Sequence, residues 1–428
     1  MKYLLAGATL QGMTDVASSL VADGEDVLLF DRESDVDIDV ESSATVLPMT
    51  WSKEFLTGVD RVVTSPWFSD RCPPLSDAID AGVNIVTEAG FGLERLSVPY
   101  AAVTGTNGKT TVTQAATAML VASGIRALAA GNIGTPVSAL TDQDADVLIL
   151  ELSSYQLRFI DGLAPEAAAI LNIAPDHLDW HGTFERYVAA KARVFATMEA
   201  DALLAYNADD PVVAATIIDA KCRLVPCSGI RIPENGNGVD GRDIVFGDER
   251  VSTRFSDRTL LFDLVVAATL ATAMGGDARG VATVVDSFTA GPHRRQLVRV
   301  LDGVTWINDS KATNPHATVA AVGAYPSVVL LTGGRNKNVD LSPIAELSST
   351  NRLIAFGESG PEIASLAAAS VDVVPTLEAA VAKAREIAAQ GDTVLLSPGC
   401  ASFDEFSSYA ERGEVFIALV GSFEGIDV

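Results

Sequence analysis

The chain has 428 residues, of which 48% are hydrophobic, so it can build several buried cores and is not expected to be disordered. Its 30 basic and 56 acidic residues give a net charge of −26, which argues against nucleic acid as a partner because a phosphate backbone would be repelled. The four cysteines show neither zinc-site spacing nor a disulfide framework, so a reducing cytoplasm is expected, and no apolar stretch reaches membrane-spanning length.

The first segment of the chain predicts an α/β domain. Residues Lys2–Ala6 are expected to form a strand, residues 7–12 a glycine turn, and Met13–Ala22 a helix that leads to a second strand ending before Asp31. An acidic residue about twenty positions after a glycine turn often binds a ribose hydroxyl, so Asp31 is a candidate binding residue. The turn lacks the middle glycine of the dinucleotide-binding pattern, and an ordinary strand-to-helix turn is an equal alternative.

The second segment, residues 98–291, contains the most informative motif of the chain. Residues 104–111 read Thr-Gly-Thr-Asn-Gly-Lys-Thr-Thr. An apolar run at residues 100–103 predicts a strand before the motif, and residues 112–121 predict a helix after it. A strand, a glycine loop with Lys-Thr, and a helix form the layout of a phosphate-binding loop.

The residue types of this motif suit phosphate chemistry. Gly105 and Gly108 let backbone N–H groups surround phosphate oxygens, and the helix N-terminus adds partial positive charge. Lys109 would supply a charge to the β- and γ-phosphates, and Thr110 or Thr111 a hydroxyl to Mg²⁺. The alternative is a glycine turn that caps a helix, but the Gly-Lys-Thr-Thr sequence favours nucleotide binding.

Two further predicted strands of this segment, residues 146–150 and 168–172, are followed by polar clusters. Glu151 ends the first strand and is suited to Mg²⁺, although a carboxylate in that place often caps a helix. His177 lies in the cluster after the second strand and is a softer ligand. Lys191 lies in a predicted helix, and its local sequence alone favours a solvated lysine.

The third segment, residues 292–428, alternates again and predicts a doubly wound sheet. The predicted elements are strands at residues 304–307, 328–331, 353–356 and 394–396 and a helix at residues 377–389. Lys311 and Lys337 follow two of these strands and indicate an anion site, with ordinary surface lysines as an equal alternative. Arg294, at the start of the segment, would bind a ligand phosphate or be surface charge.

A set of motifs, in order and spacing, resembles the Mur ligase family over nearly the whole chain. They are residues 104–111, 131–134, 151–157, 176–179, 187–191, 292–294, 308–314, 331–337, 397–406 and 412–413. The phosphate loop is typical of the superfamily. The Asn-Asp-Ser-Lys-Ala-Thr-Asn and Ser-Pro-Gly-Cys-Ala-Ser-Phe-Asp motifs are typical of its glutamate-adding branch.

The resemblance implies an α/β protein of three domains. A Rossmann-like N-terminal domain (1–97) would bind a UDP-sugar, a central P-loop ATPase domain (98–291) ATP, and a Rossmann-like C-terminal domain (292–428) the incoming amino acid. It implies a cytoplasmic, monomeric ligase of peptidoglycan synthesis that joins D-glutamate to UDP-N-acetylmuramoyl-L-alanine through an acyl phosphate, with ATP and two Mg²⁺. The alternatives are a paralogue with another acid or amino acid, for example L-glutamate, and a non-catalytic partner subunit.

The resemblance also implies roles for individual residues. The ATP-binding set would be Gly105, Thr106, Asn107, Gly108, Lys109, Thr110, Thr111, Arg294, Asp309 and Lys311. The catalytic residues would be Lys109, Glu151, His177 and a carbamoylated Lys191, and the last three would bind Mg²⁺ together with Thr110. The substrate-binding set would be Asp31, Asn132, Ser153, Gln156, Thr313, Lys337, Ser402, Phe403 and Tyr409.

The chain departs from the family pattern at the nucleoside-binding edges. Trp67 stands where the family has glycine, and Gln296 where glutamate is common. Asp263 and Val266 stand where the family offers two amides near the adenine. Because valine can neither donate nor accept a hydrogen bond, these replacements predict relaxed nucleotide selectivity.

Overall fold

The computed structural model describes residues 1–10, 12–32, 44–160, 162–289 and 291–426. Within them the chain is an α/β protein built mainly on parallel sheets, which confirms the predicted fold class. The chain divides into two compact units. The first comprises Met1–Ile173, Glu185–Ser256 and Leu260–Phe288, and the second comprises Ala174–Phe184, Asp257–Thr259 and Thr289–Val428. The domain boundaries given above stay predictions.

The first unit begins with a parallel sheet. Its strands in the described residues are β1 (Lys2–Ala6), β2 (Asp26–Phe30), β3 (Thr45–Val46), β4 (Arg61–Thr64) and β5 (Asn84–Thr87), and its helices are α1 (Met13–Ala22), α2 (Pro73–Asp80) and α3 (Glu88–Leu93). β1 and α1 confirm the predicted strand and helix, whereas Gln11 of the predicted turn lies outside the described residues. The strand order is 3-2-1-4-5, so the connections change direction between β1 and β4. Ligands of open parallel sheets bind beyond the carboxyl ends of strands at such a switch point.

A second parallel sheet contains the phosphate loop. Its strands, in the order 11-10-9-6-8-7, are β6 (Tyr100–Thr104), β7 (Ala127–Gly131), β8 (Val147–Glu151), β9 (Ala167–Ile170), β10 (Leu203–Asn207) and β11 (Arg223–Cys227). A small antiparallel sheet that the sequence did not predict contains β12 (Gly238–Asp240), β13 (Asp243–Phe246) and β14 (Glu249–Ser252). The helices of this stretch are α4 (Lys109–Ala122), α5 (Ser154–Leu157), α6 (Leu178–His181), α7 (Phe184–Ala192), α8 (Pro211–Thr216), α9 (Arg258–Ala273) and α10 (Ala278–Ser287). Of these, α6 belongs to the second unit, as do the first residues of α7 and α9.

The core of the first unit lies between this second sheet and the helices α4 and α9. Val103 of β6 and Ile149 of β8 belong to the same apolar cluster as Met119 of α4 and Leu264 of α9. Every residue of β8 is buried, as expected for a parallel strand covered on both faces. This packing fixes the carboxyl ends of β6 and β8, which carry the phosphate loop and Glu151.

The second unit contains one mixed sheet. Its strands, in the order 15-16-20-17-18-19, are β15 (Gln296–Leu301), β16 (Val304–Asn308), β17 (Val328–Gly333), β18 (Arg352–Phe356), β19 (Asp372–Val374) and β20 (Thr393–Gly399). Only β15 pairs in the antiparallel direction within this described sheet. The helices are α11 (Pro315–Val322), α12 (Ser342–Ala345), α13 (Gly360–Leu366), α14 (Leu377–Ile387) and α15 (Tyr409–Gly421).

Two apolar clusters pack on this sheet. Trp306 of β16 packs against Phe416 of α15 in one of them, and Leu330 of β17 lies with Ile344 of α12 in the other. Short 3-10 helices complete the description of both units, at Lys53–Leu56, Val137–Ala139, Arg193–Phe195 and Glu346–Ser349. Among the described residues, no helix combines the length and apolar character that crossing a membrane requires.

Candidate active site

The phosphate loop connects the end of β6 with the start of α4, as predicted. Gly105 has a φ angle of +157° and Gly108 one of +87°, in the region that favours glycine. A Cβ atom on Gly108 would lie 2.7 Å from Oδ1 of Asp263, and one on Gly105 would lie 2.9 Å from Cβ of Leu171. Both the backbone conformation and the available space therefore require glycine at these two positions.

Lys109 and Asn172 hold the loop in place. The Nζ atom of Lys109 donates to the carbonyl oxygens of Gly105 and Thr106, at 3.0 Å each. Asn172 accepts from the backbone N–H of Asn107 through Oδ1 (2.8 Å) and donates to its carbonyl oxygen through Nδ2 (3.0 Å). Asn172 lay in a polar cluster of the sequence but received no role, and its place just after the neighbouring strand β9 was the available signal.

Helix α7 contacts the same loop through two residues one turn apart. The hydroxyls of Tyr187 and Thr106 lie 2.9 Å apart, and Nζ of Lys191 donates to the carbonyl oxygen of Gly105 at 2.7 Å. The Lys191 residue is only 1% exposed, and its Nζ lies 4.6 Å from the centre of the Tyr187 ring. The solvated lysine that its local sequence favoured is therefore wrong, because the fold buries this side chain against the phosphate loop.

Glu151 is a buried carboxylate at the end of β8. Its Oε1 accepts a hydrogen bond of 2.9 Å from Nδ2 of Asn132, which follows β7. Its Oε2 is buried without a hydrogen-bond partner in the described part of the chain. A buried carboxylate oxygen in this condition suits a hard cation such as Mg²⁺. Thr110 and Thr111 are buried in the first turn of α4.

Residues 1–10, 12–32, 44–160, 162–289 and 291–426 contain no cluster of three or more His, Cys, Asp or Glu side chains placed to hold a metal ion. A cation at Glu151 would therefore need other oxygen ligands, such as a threonine hydroxyl or phosphate oxygens. The residues present fit an ion that is held partly by the nucleotide.

The other predicted substrate residues of the first unit lie at element ends. Ser153 and Gln156 form a capping box at the start of α5, in which Oε1 of Gln156 accepts from the backbone N–H of Ser153 at 3.0 Å. Asp31, after β2, accepts through Oδ2 from both the backbone N–H (3.0 Å) and the hydroxyl (2.6 Å) of Thr9. This carboxylate joins the loops after β1 and β2 at the carboxyl edge of the sheet.

Asp176 is the centre of a polar cluster in the second unit. Nζ of Lys337 lies 2.5 Å from its Oδ1, and Nδ2 of Asn314 donates to its Oδ2 at 3.0 Å. Nε2 of His177 lies 3.6 Å from the same Oδ2. Burial opposes ionisation of Asp176, but Lys337, His177 and Asn314 together hold its pKa below the ordinary value. The structure thus brings His177 and Lys337 together through a residue to which the sequence gave no role.

Asp309 is buried after β16. Its Oδ1 accepts from the backbone N–H of Arg295 at 3.1 Å, and its Oδ2 accepts from Oγ of Ser397 at 2.9 Å. Burial raises the pKa of Asp309 to about 6, although Arg295, Ser397 and Arg294 favour the charged form. The predicted Arg294 acts on Asp309 only through its charge, whereas the guanidinium of Arg295 forms an ion pair with Asp257.

The remaining predicted residues of the second unit surround the ends of β16 and β20. Nζ of Lys311 lies 5.2 Å from the centre of the Tyr409 ring. Ser402 is buried, Thr313 is half-buried, and Phe403 is 58% exposed.

Arg412 is a buried arginine that ties these strand ends together. Its guanidinium donates to Oγ of Ser310 (3.0 Å), to the carbonyl oxygen of Ser310 (2.9 Å) and to that of Cys400 (3.2 Å). Burial lowers its pKa to about 10, so it remains protonated at neutral pH. Because Ser310 precedes Lys311 and Cys400 lies two residues before Ser402, Arg412 fixes the loops that carry both predicted site residues.

Comparisons with known proteins agree with this geometry. The family models for the Mur ligase middle domain and the Mur ligase glutamate ligase domain match residues 103–256 and 293–400. A UDP-N-acetylmuramoylalanine–D-glutamate ligase from Syntrophotalea carbinolica is 37% identical over an alignment of 383 positions, gaps included, which covers 86% of this chain and 85% of the relative. An enzyme of the same name from Thermobifida fusca is 36% identical over an alignment of 451 positions, gaps included, which covers 96% of each chain.

The chain belongs to the Mur ligase family. A solved structure of a MurF ligase from Thermotoga maritima in complex with ADP aligns with a TM-score of 0.59 at 17% identity, covering 97% of this chain and 93% of that one. At this identity the likeness is one of fold. In this Mur ligase, Val266 of α9 lies fully in the apolar core, whereas Asp263 of the same helix lies against Gly108 of the phosphate loop.

Proposed function

We propose that this Mur ligase is an ATP-dependent, amide-forming enzyme that joins D-glutamate to UDP-N-acetylmuramoyl-L-alanine in peptidoglycan synthesis. The observation that carries the proposal is the identity of 36–37% to ligases of that name over 86–96% of the chain. The phosphate loop at residues 104–111 and the buried Glu151 supply groups that phosphoryl transfer needs.

ATP is the phosphate donor in this proposal. The start of α4, directly after the glycine loop, offers a phosphate group the partial positive charge of a helix N-terminus. Lys109 now donates to Gly105 and Thr106. Its ammonium group is within the loop and would transfer these bonds to the β- and γ-phosphate oxygens when ATP binds. The ADP bound by the Thermotoga maritima ligase supports nucleotide use by proteins of this fold.

Glu151 and Thr110 of the first unit would hold Mg²⁺, and the family resemblance adds His177 and a carbamoylated Lys191. When bound, Mg²⁺ neutralises phosphate charge and polarises the transferred phosphoryl group. Carbamoylation joins the Lys191 amine to CO₂ with loss of one proton and gives a carbamate anion. The carbamate keeps one N–H, which can still donate to the carbonyl oxygen of Gly105, so the observed hydrogen bond fits the modification.

The chemistry proceeds in two steps that position and charge stabilisation would accelerate. The substrate carboxylate attacks the γ-phosphorus, and ADP leaves to give an acyl phosphate. The glutamate amine then attacks the acyl carbon, and phosphate leaves from a tetrahedral intermediate. Lys337 and Lys311 would bind the glutamate carboxylates and the phosphate, and Asp176 would hold Lys337 in place.

A monomer in the cytoplasm is the form in which we expect the enzyme to act. All four cysteines are free thiols, which supports a reducing compartment. The oligomeric state and the division into domains at residues 97 and 291 remain predictions of the sequence.

The test is phosphate release in the presence of UDP-N-acetylmuramoyl-L-alanine, ATP and Mg²⁺, with D-glutamate and L-glutamate assayed separately. We expect release with D-glutamate and little with L-glutamate, together with a product heavier by one glutamyl residue. Turnover with L-glutamate alone would identify the paralogue. No turnover with either amino acid, by a protein that binds ATP, would contradict the proposal.

A further inference from the structure

The loop after β4, residues 65–72, lies at the switch point of the N-terminal sheet. The side chain of Ser65 approaches the turn after β1 so closely that a Cβ on Gly7 would lie 2.1 Å from its Oγ. The guanidinium of Arg32, after β2, lies 4.7 Å from the centre of the Phe68 ring. The loops after β1, β2 and β4 therefore adjoin one another at the edge where an open parallel sheet binds its ligand.

The same loop carries Asp70, which forms an ion triplet with two arginines. The Asp70 side chain is 4% exposed, and its Oδ2 lies 2.9 Å from Nη2 of Arg158 and 2.5 Å from Nη2 of Arg186. Nε of Arg158 donates to the same oxygen at 3.0 Å. Arg158 follows α5 and Arg186 belongs to α7, so the triplet joins the N-terminal loop to two elements beside the phosphate-loop sheet. Because the Asp70 carboxylate is buried, the loss of both arginines would leave it as a costly unpaired charge.

Helix α7 connects this triplet with the phosphate loop. Arg186 is followed directly by Tyr187, whose hydroxyl lies 2.9 Å from that of Thr106. One turn later, Lys191 donates to the carbonyl oxygen of Gly105 at 2.7 Å. A helix is stiff over a single turn, so a shift of Arg186 would move Tyr187 and Lys191, which both contact the phosphate loop.

We propose that Asp70 and Arg186 are positioning residues that couple ligand binding at the N-terminal sheet to nucleotide binding at the phosphate loop. The path runs from the loop after β4 through Asp70 and Arg186 to α7, and from Tyr187 and Lys191 to residues 105–106. This inference rests on the proposed function, since it takes UDP-N-acetylmuramoyl-L-alanine as the ligand of the N-terminal sheet. Through the triplet, UDP-N-acetylmuramoyl-L-alanine would favour the phosphate-loop position that ATP requires, and ATP would favour the position of the loop after β4 that the UDP-sugar requires.

If the triplet had a purely structural role, breaking it would destabilise the fold and leave the coupling between the two sites unchanged. The N-terminal sheet is also joined to the phosphate-loop sheet away from α7. Ser138 donates from its backbone N–H to Oε1 of Glu88 at 2.8 Å and from its hydroxyl to the carbonyl oxygen of Gly12 at 2.9 Å. These bonds keep the two sheets together when the triplet is broken, so loss of the triplet affects coupling more than folding.

The test measures the dissociation constant of AMPPNP by calorimetry, with and without saturating UDP-N-acetylmuramoyl-L-alanine, on the full chain with Mg²⁺. The ratio of the two constants is the coupling factor, which is typically about 5- to 150-fold for coupled sites. Arg186→Gln is the main variant, because Asp70 keeps Arg158 as a partner and is not left as an unpaired buried charge. Asp70→Asn is the second variant. Arg250→Gln is the matched control, since it breaks an exposed ion pair of the first unit with Asp240.

We expect the wild type and Arg250→Gln to share a coupling factor of about five or more, and both triplet variants to fall within about two-fold of no coupling. Circular dichroism confirms that each variant is folded before the measurement. Triplet variants that keep the wild-type factor would overturn the inference. A wild type without coupling would also overturn it, while glutamyl transfer by that protein would leave the proposed function intact.

Discussion

Replacing Asp309 by asparagine should change how the stability of the protein depends on pH. Burial raises the pKa of Asp309 from 3.8 to about 6 in the folded state. A raised carboxyl pKa means that the fold favours the protonated form. Stability is therefore greatest below the unfolded pKa, falls as pH rises towards about 6, and is constant above it. The whole pKa shift corresponds to a loss of about 3 kcal/mol of folding stability. By linkage, about 1.4 kcal/mol of this loss falls between about pH 5 and pH 7.5.

Asparagine should fit the site without other changes. Its Oδ1 can still accept from the backbone N–H of Arg295, and its amide can donate to Ser397, whose hydroxyl can turn to Oγ1 of Thr318 at 3.3 Å. Urea unfolding should be measured at pH 5, 6 and 7.5. Between pH 5 and pH 7.5, the free energy of unfolding of Asp309→Asn should rise by about 1.4 kcal/mol relative to that of the wild type. Asp372→Asn, at an exposed position of β19, is the control. Parallel pH profiles for Asp309→Asn and wild type would refute the conclusion that burial outweighs the nearby arginines.

Three further outcomes follow from the loops and the family motifs. Lys109→Ala should lower kcat by about a hundredfold or more, measured by phosphate release, and near-normal turnover would contradict a γ-phosphate contact. Lys191→Ala should be inactive and partly rescued by small carboxylic acids; full activity without them would argue against a carbamate ligand. Gly333→Ala should lower the free energy of unfolding by about 2–4 kcal/mol, because the new Cβ would lie 1.9 Å from the carbonyl oxygen of Phe356. Gly323→Ala is the control and should not lower it, because its Cβ would lie 3.7 Å from the nearest atom.

The regular elements could be predicted because their signals are local. β1 and α1 have the predicted bounds, because a short apolar run indicates the strand and helical periodicity the helix, and the phosphate loop follows its strand as the motif requires. Glu151 was recognisable because a polar residue at a strand end stands out from the apolar run before it, whereas Asp309 was named only through the family resemblance. The antiparallel sheet β12–β14 was missed, since its strands have three or four residues each and give little periodicity.

The partners of the site residues could not be predicted from local sequence. The ion pair of Lys337 with Asp176 joins residues far apart in the chain, and no pattern near either residue indicates the other. The local sequence of Lys191, taken alone, favoured a solvated side chain, because its burial depends on packing against the phosphate loop, which only the tertiary structure provides. The same holds for Arg412, a charged residue whose burial is possible because carbonyl oxygens of two loops surround it. The binding of ATP, Mg²⁺ and the substrates by the site residues stays a prediction.

The discontinuous second unit has a consequence for folding during synthesis. Its first segment, Ala174–Phe184, leaves the ribosome well before Lys337, which lies 337 − 176 = 161 residues beyond Asp176. At a synthesis rate of about 5–20 residues per second, the segment waits roughly 8–30 seconds for its partners. The first unit, which ends at Phe288, can begin to fold in that time. The nascent chain therefore completes its second unit only after nearly all of the protein has been made.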